Sequence, residues 1–134
     1  MKRTGIVVIE VVCLLCAMVV LLASFVPDGV KPKLSALWIN VGHVPAYFVF
    51  ATLSASCVAV RREITLRRLL LVGAAVYAFS VTVECLQPLF GRTFSLVDLG
   101  LNAIGVTVAI AVFAVSAWFR NRTLIPVSVT GKRQ

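Results

Sequence analysis

Charge is what this chain has least of. Lysine, arginine, aspartate and glutamate together make up 13% of its 134 residues, with only five acids and a single histidine. A soluble domain carries about a quarter charged residues, so a soluble globular fold is excluded by composition alone. Also missing are internal repeats, low-complexity tracts and any sign of a second domain. No serine-nucleophile motif, phosphate-binding glycine loop or spaced set of metal ligands is present. Four cysteines occur, and Cys13-Leu-Leu-Cys16 has the spacing of a metal or redox pair. Set in an apolar run with no second pair at matching depth, these two read as small apolar fillers, as does Cys57. Cys85 is expected as a free thiol, and neither a metal nor another cofactor is expected.

What is present is grease: 60% hydrophobic residues and a mean hydropathy of +1.03. Crossing a hydrocarbon core of about 30 Å takes about 20 apolar residues, and four such runs can be counted, at about 5–26, 37–60, 66–83 and 99–119. The first is interrupted only by Glu10 and stops at the breaker cluster Pro27-Asp28-Gly29. It has the basic start of a signal peptide, but its apolar run is too long and no small-x-small site precedes Pro27, so it reads as a retained helix. The expected fold is an all-α membrane protein, a single domain over 1–134 forming a four-transmembrane-helix antiparallel bundle. Gly73, Ala74 and Ala75 on the third helix and Gly100 and Gly105 on the fourth are expected as close-contact surfaces.

Basic residues set the orientation, because short cytoplasmic loops retain lysine and arginine. Lys2, Arg3, Arg61, Arg62, Arg67, Arg68, Arg120, Arg122, Lys132 and Arg133 fall on one side; Lys31, Lys33 and Arg92 fall on the other. Both termini are therefore expected in the cytoplasm, with Trp38 and Trp118 in the two aromatic belts. The net charge of +8 follows from this topology and from contact with anionic lipid, and calls for no nucleic acid.

The stretch from Glu84 to Gly105 breaks the apolar pattern. It holds Glu84, Gln87, Arg92, Asp98 and Asn102, and all lie at the outer ends of the third and fourth helices. His43, about 9 Å below the outer end of the second helix at 1.5 Å per residue, reaches the same leaflet. Asp98, Asn102 and Gly105 share a helix face at i, i+4, i+7, and His43, Tyr47 and Phe50 repeat that spacing. Glu84 and Gln87 are i, i+3 neighbours. Arg92 is a natural counter-ion for Glu84 or Asp98. Plainer roles exist for each: His43 as donor to a carbonyl or to Glu84, Asp98 as an N-cap and first-turn acid, Gln87 as an interfacial amide, Arg92 as a snorkelling cation. Asn102 lies one turn too deep for capping. Glu10 sits at the opposite end and reads as a bundle-facing or interfacial acid.

The ordered set His43, Glu84-x-x-Gln87, Arg92 and Asp98-x-x-x-Asn102-x-x-Gly105 resembles the VanZ-like family of small bacterial membrane proteins over roughly 37–115. Two places differ: Ile39-Asn40-Val41-Gly42 stands where members often carry Asp-Lys before the histidine, and Ala109 stands where a second glycine often follows. The resemblance implies a place in the bacterial cytoplasmic (inner) membrane, a role at the cell envelope and an association with resistance to the glycopeptide teicoplanin. Two classes of function are compatible with the residues. One is a binding protein whose outer polar site, His43, Glu84, Gln87, Arg92, Asp98 and Asn102, holds a membrane lipid headgroup, a lipid-linked envelope precursor, a glycan or a glycopeptide. The other is an intramembrane enzyme acting on a lipid-linked or glycan substrate, with His43 and Glu84 or Asp98 as the acid/base pair. A proton-coupled transporter would need an inner-side polar path, for which only Glu10 is available.

Overall fold

The computed structural model of the protein describes residues 3–26 and 36–123, and side chains for all of these except 36–41 and 121–123. Four helices account for nearly all of them: α1 (Arg3–Ser24), α2 (Ala36–Ala59), α3 (Leu66–Leu86) and α4 (Leu96–Thr123). All four contain stretches long and apolar enough to cross a membrane. The chain is thus a multi-pass all-α membrane protein built as a four-helix bundle. The Pro27-Asp28-Gly29 breaker, Lys2, Lys31, Lys33, Lys132 and Arg133, and the side chains of Trp38 and Arg122, lie outside what is described.

Sequential helices alternate in direction, and the contacts at the two ends make this plain. At one end Glu10 of α1 pairs with Arg61 just past α2, and the Cys57 thiol of α2 donates to the Ile9 carbonyl at 3.9 Å. At the other, Arg92 of the α3–α4 connection donates to the Ser24 carbonyl of α1, while His43 of α2 meets Asp98 and Asn102 of α4. Helix α4 therefore runs parallel to α2, and this non-sequential pair makes the most extensive interface of the bundle.

Gly105 explains why that interface is so close. A Cβ at Gly105 would run into the Val44 carbonyl oxygen and come within 3.0 Å of the Phe48 nitrogen and 3.3 Å of Tyr47 Cβ. Only glycine lets the two backbones meet there, the packing mode expected where lipid supplies no hydrophobic driving force between helices. Gly73 plays a milder part, its missing Cβ making room for Ile110 at 3.1 Å. Two expectations fail. Gly100 faces open space, and Ala74 and Ala75 are exposed at the edges of shallow grooves. Smallness alone does not make a contact; the residue must also fall on the face turned toward a neighbour.

The burial pattern is inside-out relative to a soluble protein. Large apolar side chains such as Leu14, Val19, Leu22, Leu70, Leu71, Val108 and Val112 are exposed, as lipid-facing residues are. The largest fully buried side chains are Gln87, Glu84, Asn102 and Ser80. An apolar core of Phe50, Ala51, Ala55, Leu69, Val76, Ala109 and Ile110 lies next to them, with Phe50 edge-on to Phe79 at 5.4 Å. Helix α1 is the outlying member. It packs on α2 with little contact to α3, and Val20 is its one buried residue among those described.

Candidate functional site

Helix α3 runs three residues further than hydropathy suggests, through Leu86, because nothing breaks it before Pro88. It then tightens into a 3-10 turn, Gln87–Phe90, with proline in its first turn. Gly91 stops this turn at φ +73°, the left-handed region that glycine enters without steric cost. The chain reverses there, so that Arg92 N–H bonds back to the Gln87 carbonyl at 3.2 Å. The C-terminal end of α1 is clamped to this corner by the Phe25–Phe90 ring contact at 4.4 Å and by Arg92 Nη1 donating to Ser24 O at 2.6 Å.

Helix α4 starts at Leu96 because Ser95 caps it. The Ser95 hydroxyl accepts from Asp98 N–H at 3.2 Å, and its carbonyl accepts from Leu99 N–H at 3.2 Å. In a capping box the acid at the third helical position reaches back to the cap's own N–H. Here Glu84 of α3 does that, its Oε2 accepting from Ser95 N–H at 3.2 Å. Asp98, the residue placed to close the box, is thereby left to face across to α2, where its Oδ2 lies 3.6 Å from His43 Nε2.

The other imidazole nitrogen is also held. His43 Nδ1 is 3.0 Å from Asn102 Oδ1, and Asn102 Nδ2 donates to Ser80 Oγ of α3 at 2.7 Å. With the amide in this orientation its oxygen is the acceptor, so Nδ1 carries the proton and Nε2 is the atom presented to the Asp98 carboxylate. Tyr47, one turn below His43, has its phenol in hydrogen-bonding reach of Ser80. A polar chain His43–Asn102–Ser80–Tyr47 thus links α2, α4 and α3. Beside it, Gln87 Nε2 donates to Glu84 Oε1 at 3.2 Å, so both carboxylate oxygens of Glu84 have donors, and Asp98, His43 and Arg92 lie within its electrostatic reach. Gln87 Oε1 is buried without a hydrogen-bond partner.

All six residues expected from sequence therefore lie at one end of the bundle, and five of them form a contiguous buried or half-buried cluster. Arg92 joins it from the rim, donating to a backbone carbonyl of α1. Three contributors escaped the sequence reading as site residues: Ser80, Ser95 and Tyr47. Ser80 was findable, since Ser80, Glu84 and Gln87 repeat the i, i+4, i+7 spacing.

Between α1 and α2, beside this cluster, lies a cleft of about 210 Å³. Val20, Ala23 and Ser24 form one wall, Gly42, His43, Ala46 and Tyr47 the other, and Arg92 stands at the rim. At the opposite end of the bundle the polar contacts are of a different kind: the Glu10–Arg61 pair is largely exposed on its arginine side. Among the described residues no group of three or more histidine, cysteine or acidic side chains is arranged to hold a metal. Cys13 and Cys16 are free thiols, and Cys13 Sγ lies 3.6 Å from Ser54 Oγ. Cys85 is a free thiol on the exposed surface of α3.

Compared with known proteins, the chain matches no family model, no curated protein and no solved structure.

Proposed function

We propose that this is a VanZ-like protein of the bacterial cytoplasmic membrane whose outer-leaflet polar site binds the headgroup of a membrane lipid or lipid-linked envelope precursor. The observation that carries the reading is the cleft in which His43 and Arg92 both face the space between α1 and α2. Behind it, the Asp98, Asn102, Ser80, Glu84 and Gln87 network holds the imidazole in place. Burying this many polar groups at membrane depth costs several kcal/mol each when they are unpaired. A network that satisfies them almost completely, and sets Arg92 beside an open cleft walled by a fixed imidazole, fits presentation of a cation better than bulk stability.

The orientation has its own support. Among the described residues Arg3, Arg61, Arg62, Arg67, Arg68 and Arg120 cluster at the end opposite the site, against Arg92 alone at the site end. Under the positive-inside rule the cleft then faces outward. A link to glycopeptide resistance would follow from occupancy of an envelope lipid at this face.

A second reading rests on one specific contact. His43 sits between an acid on Nε2 and an amide on Nδ1, an arrangement that sets imidazole tautomer and orientation for proton transfer to a lipid-linked or glycan substrate. Both readings are tested by extracting the protein with its native lipids and identifying what co-purifies with wild type, His43→Gln and Arg92→Gln. The binding reading expects a headgroup-bearing species, enriched over the bulk membrane, that both variants lose. Conversion of that species by wild type and not by His43→Gln would select the enzyme. No enriched species in any of the three samples sinks both.

A further inference from the structure

Resting on that binding reading, the dimensions and lining of the cleft narrow the ligand. A volume of about 210 Å³ lies below the roughly 300 Å³ at which pockets begin to enclose a drug-sized molecule. An intact glycopeptide or a multi-sugar glycan therefore does not fit inside. The polarity of the lining also changes with depth. Arg92, Ser24 and His43 lie at the outer rim; Val20, one turn or about 6 Å deeper than Ser24, and Ala46 form an apolar floor. Because α1 is the outlying helix, contacting little besides α2, the gap between α1 and α2 sits at the periphery of the bundle. Ala23 and Gly42, on opposite walls, are both exposed.

We infer that the α1–α2 cleft takes the phosphate headgroup of a lipid, which reaches it sideways from the bilayer, with Arg92 contacting the phosphate, His43 forming the wall beside it, and the acyl chains remaining outside along the exposed Ala23. A guanidinium matches phosphate with paired, charge-assisted hydrogen bonds. With Nδ1 held by Asn102 and Nε2 facing Asp98, the imidazole is a fixed wall of the cleft and leaves the phosphate to the guanidinium. A phosphate arriving at Arg92 also meets the bond from Nη1 to the Ser24 carbonyl, so occupancy bears directly on how the outer end of α1 is held.

The test uses native mass spectrometry of the full chain in detergent, titrated separately with dioleoyl phosphatidic acid, dioleoylglycerol, a monoglucosyl diacylglycerol and inorganic phosphate. Four proteins are compared: wild type, Gly42→Trp, Gly100→Trp and Arg92→Gln. A Cβ meets open space at both glycines, so both variants should fold, but only Gly42 lines the cleft. Thermal midpoints verify folding. Phosphatidic acid should bind wild type and Gly100→Trp alike, and bind Gly42→Trp and Arg92→Gln about tenfold or more weakly; dioleoylglycerol should not compete. Equal binding of phosphatidic acid and dioleoylglycerol would overturn the inference by showing only annular lipid. Inorganic phosphate binding as tightly as the lipid would replace it with a soluble-anion site. Preference for the phosphate-free glycolipid, lost in Gly42→Trp, would overturn it too while leaving the outer site as a headgroup binder. Unchanged binding in a folded Gly42→Trp would move the ligand out of this cleft.

Discussion

Asn102 reaches His43 with one end of its amide and Ser80 with the other, at 3.0 and 2.7 Å. One side chain on α4 thus cross-links α2 and α3. Three helices share a single residue that is 1% exposed, so its loss is felt by all of them.

Asn102→Ala is therefore expected to lower stability by about 1–3 kcal/mol, because it removes the amide that both Ser80 and His43 bond to in the bundle interior. Combined with Ser80→Ala, the loss should be less than additive by about 0.6 kcal/mol and at most about 1.7, the average and maximum for hydrogen-bonded pairs between membrane helices. Unfolding of the double-mutant cycle in mixed micelles measures this. Strict additivity would show that the amide bridge carries no coupling.

Gly105→Ala and Gly100→Ala form a matched pair on one helix. The first drives a methyl group into the Val44 carbonyl and should cost about 1–3 kcal/mol, or shift α4 away from α2. The second adds a methyl in open space and should be neutral or stabilising by up to about 1 kcal/mol through helix propensity. Thermal unfolding in detergent separates them. Equal effects would mean that α2 and α4 do not meet at Gly105.

Ser95→Ala removes the cap of α4 and should cost about 0.5–2 kcal/mol. The signature is local: hydrogen exchange at the Asp98 amide should accelerate, while amides in the middle of α4 hold. Ligand binding should weaken as well, since Asp98 is oriented toward His43 by this first turn. Loss of stability with Asp98 exchange unchanged would assign Ser95 a different role.

Glu10→Gln or Arg61→Gln breaks the ion pair at the other end. The arginine side chain there is 60% exposed, and a pair of that kind contributes about 0–1 kcal/mol, less at high salt. Neither variant should affect lipid titrations at the cleft. A loss approaching that of Asn102→Ala would mean that α1 is anchored mainly from this end.

Membrane orientation is open to thiol labelling in intact cells. On a background with the four native cysteines replaced, a cysteine at position 65 should react only after the membrane is permeabilised. One at position 92, in the α3–α4 connection, should react directly with an impermeant reagent. The reverse pattern would turn the site toward the cytoplasm and exclude any role in contacting an outer-leaflet ligand.

Much of this was legible in the chain itself, for a physical reason. Hydrocarbon thickness sets helix length, so apolar runs announced four spans whose ends came within a few residues of the observed ones. The 3.6-residue period put Asp98, Asn102 and Gly105 on one face and His43 with Tyr47 on another, and equal depth brought them to one end. Local spacing cannot say which faces meet. Gly100 and Gly105 look equally suited to close packing, yet only Gly105 is turned toward α2. Asp98 looked like the natural cap, but the helix starts three residues earlier with Ser95 as its cap, and Glu84 takes the Ser95 N–H that Asp98 would hold in a capping box. Arg92 looked like a counter-ion for the acids, and its guanidinium reaches the carbonyl of Ser24, 68 residues earlier in the chain.

Composition and periodicity by themselves determined that the chain crosses the membrane four times and gathers its polar residues at one depth, since both follow from transfer energies that each residue carries wherever it sits. The tertiary structure alone decided that α2 and α4 pack in parallel through Gly105, that Asn102 bridges three helices, and that a cleft opens between α1 and α2. Those depend on the azimuth of each helix relative to its neighbours, which is set by which set of contacts packs without overlap and satisfies the buried polar groups together, a property of the assembled bundle and of no single segment.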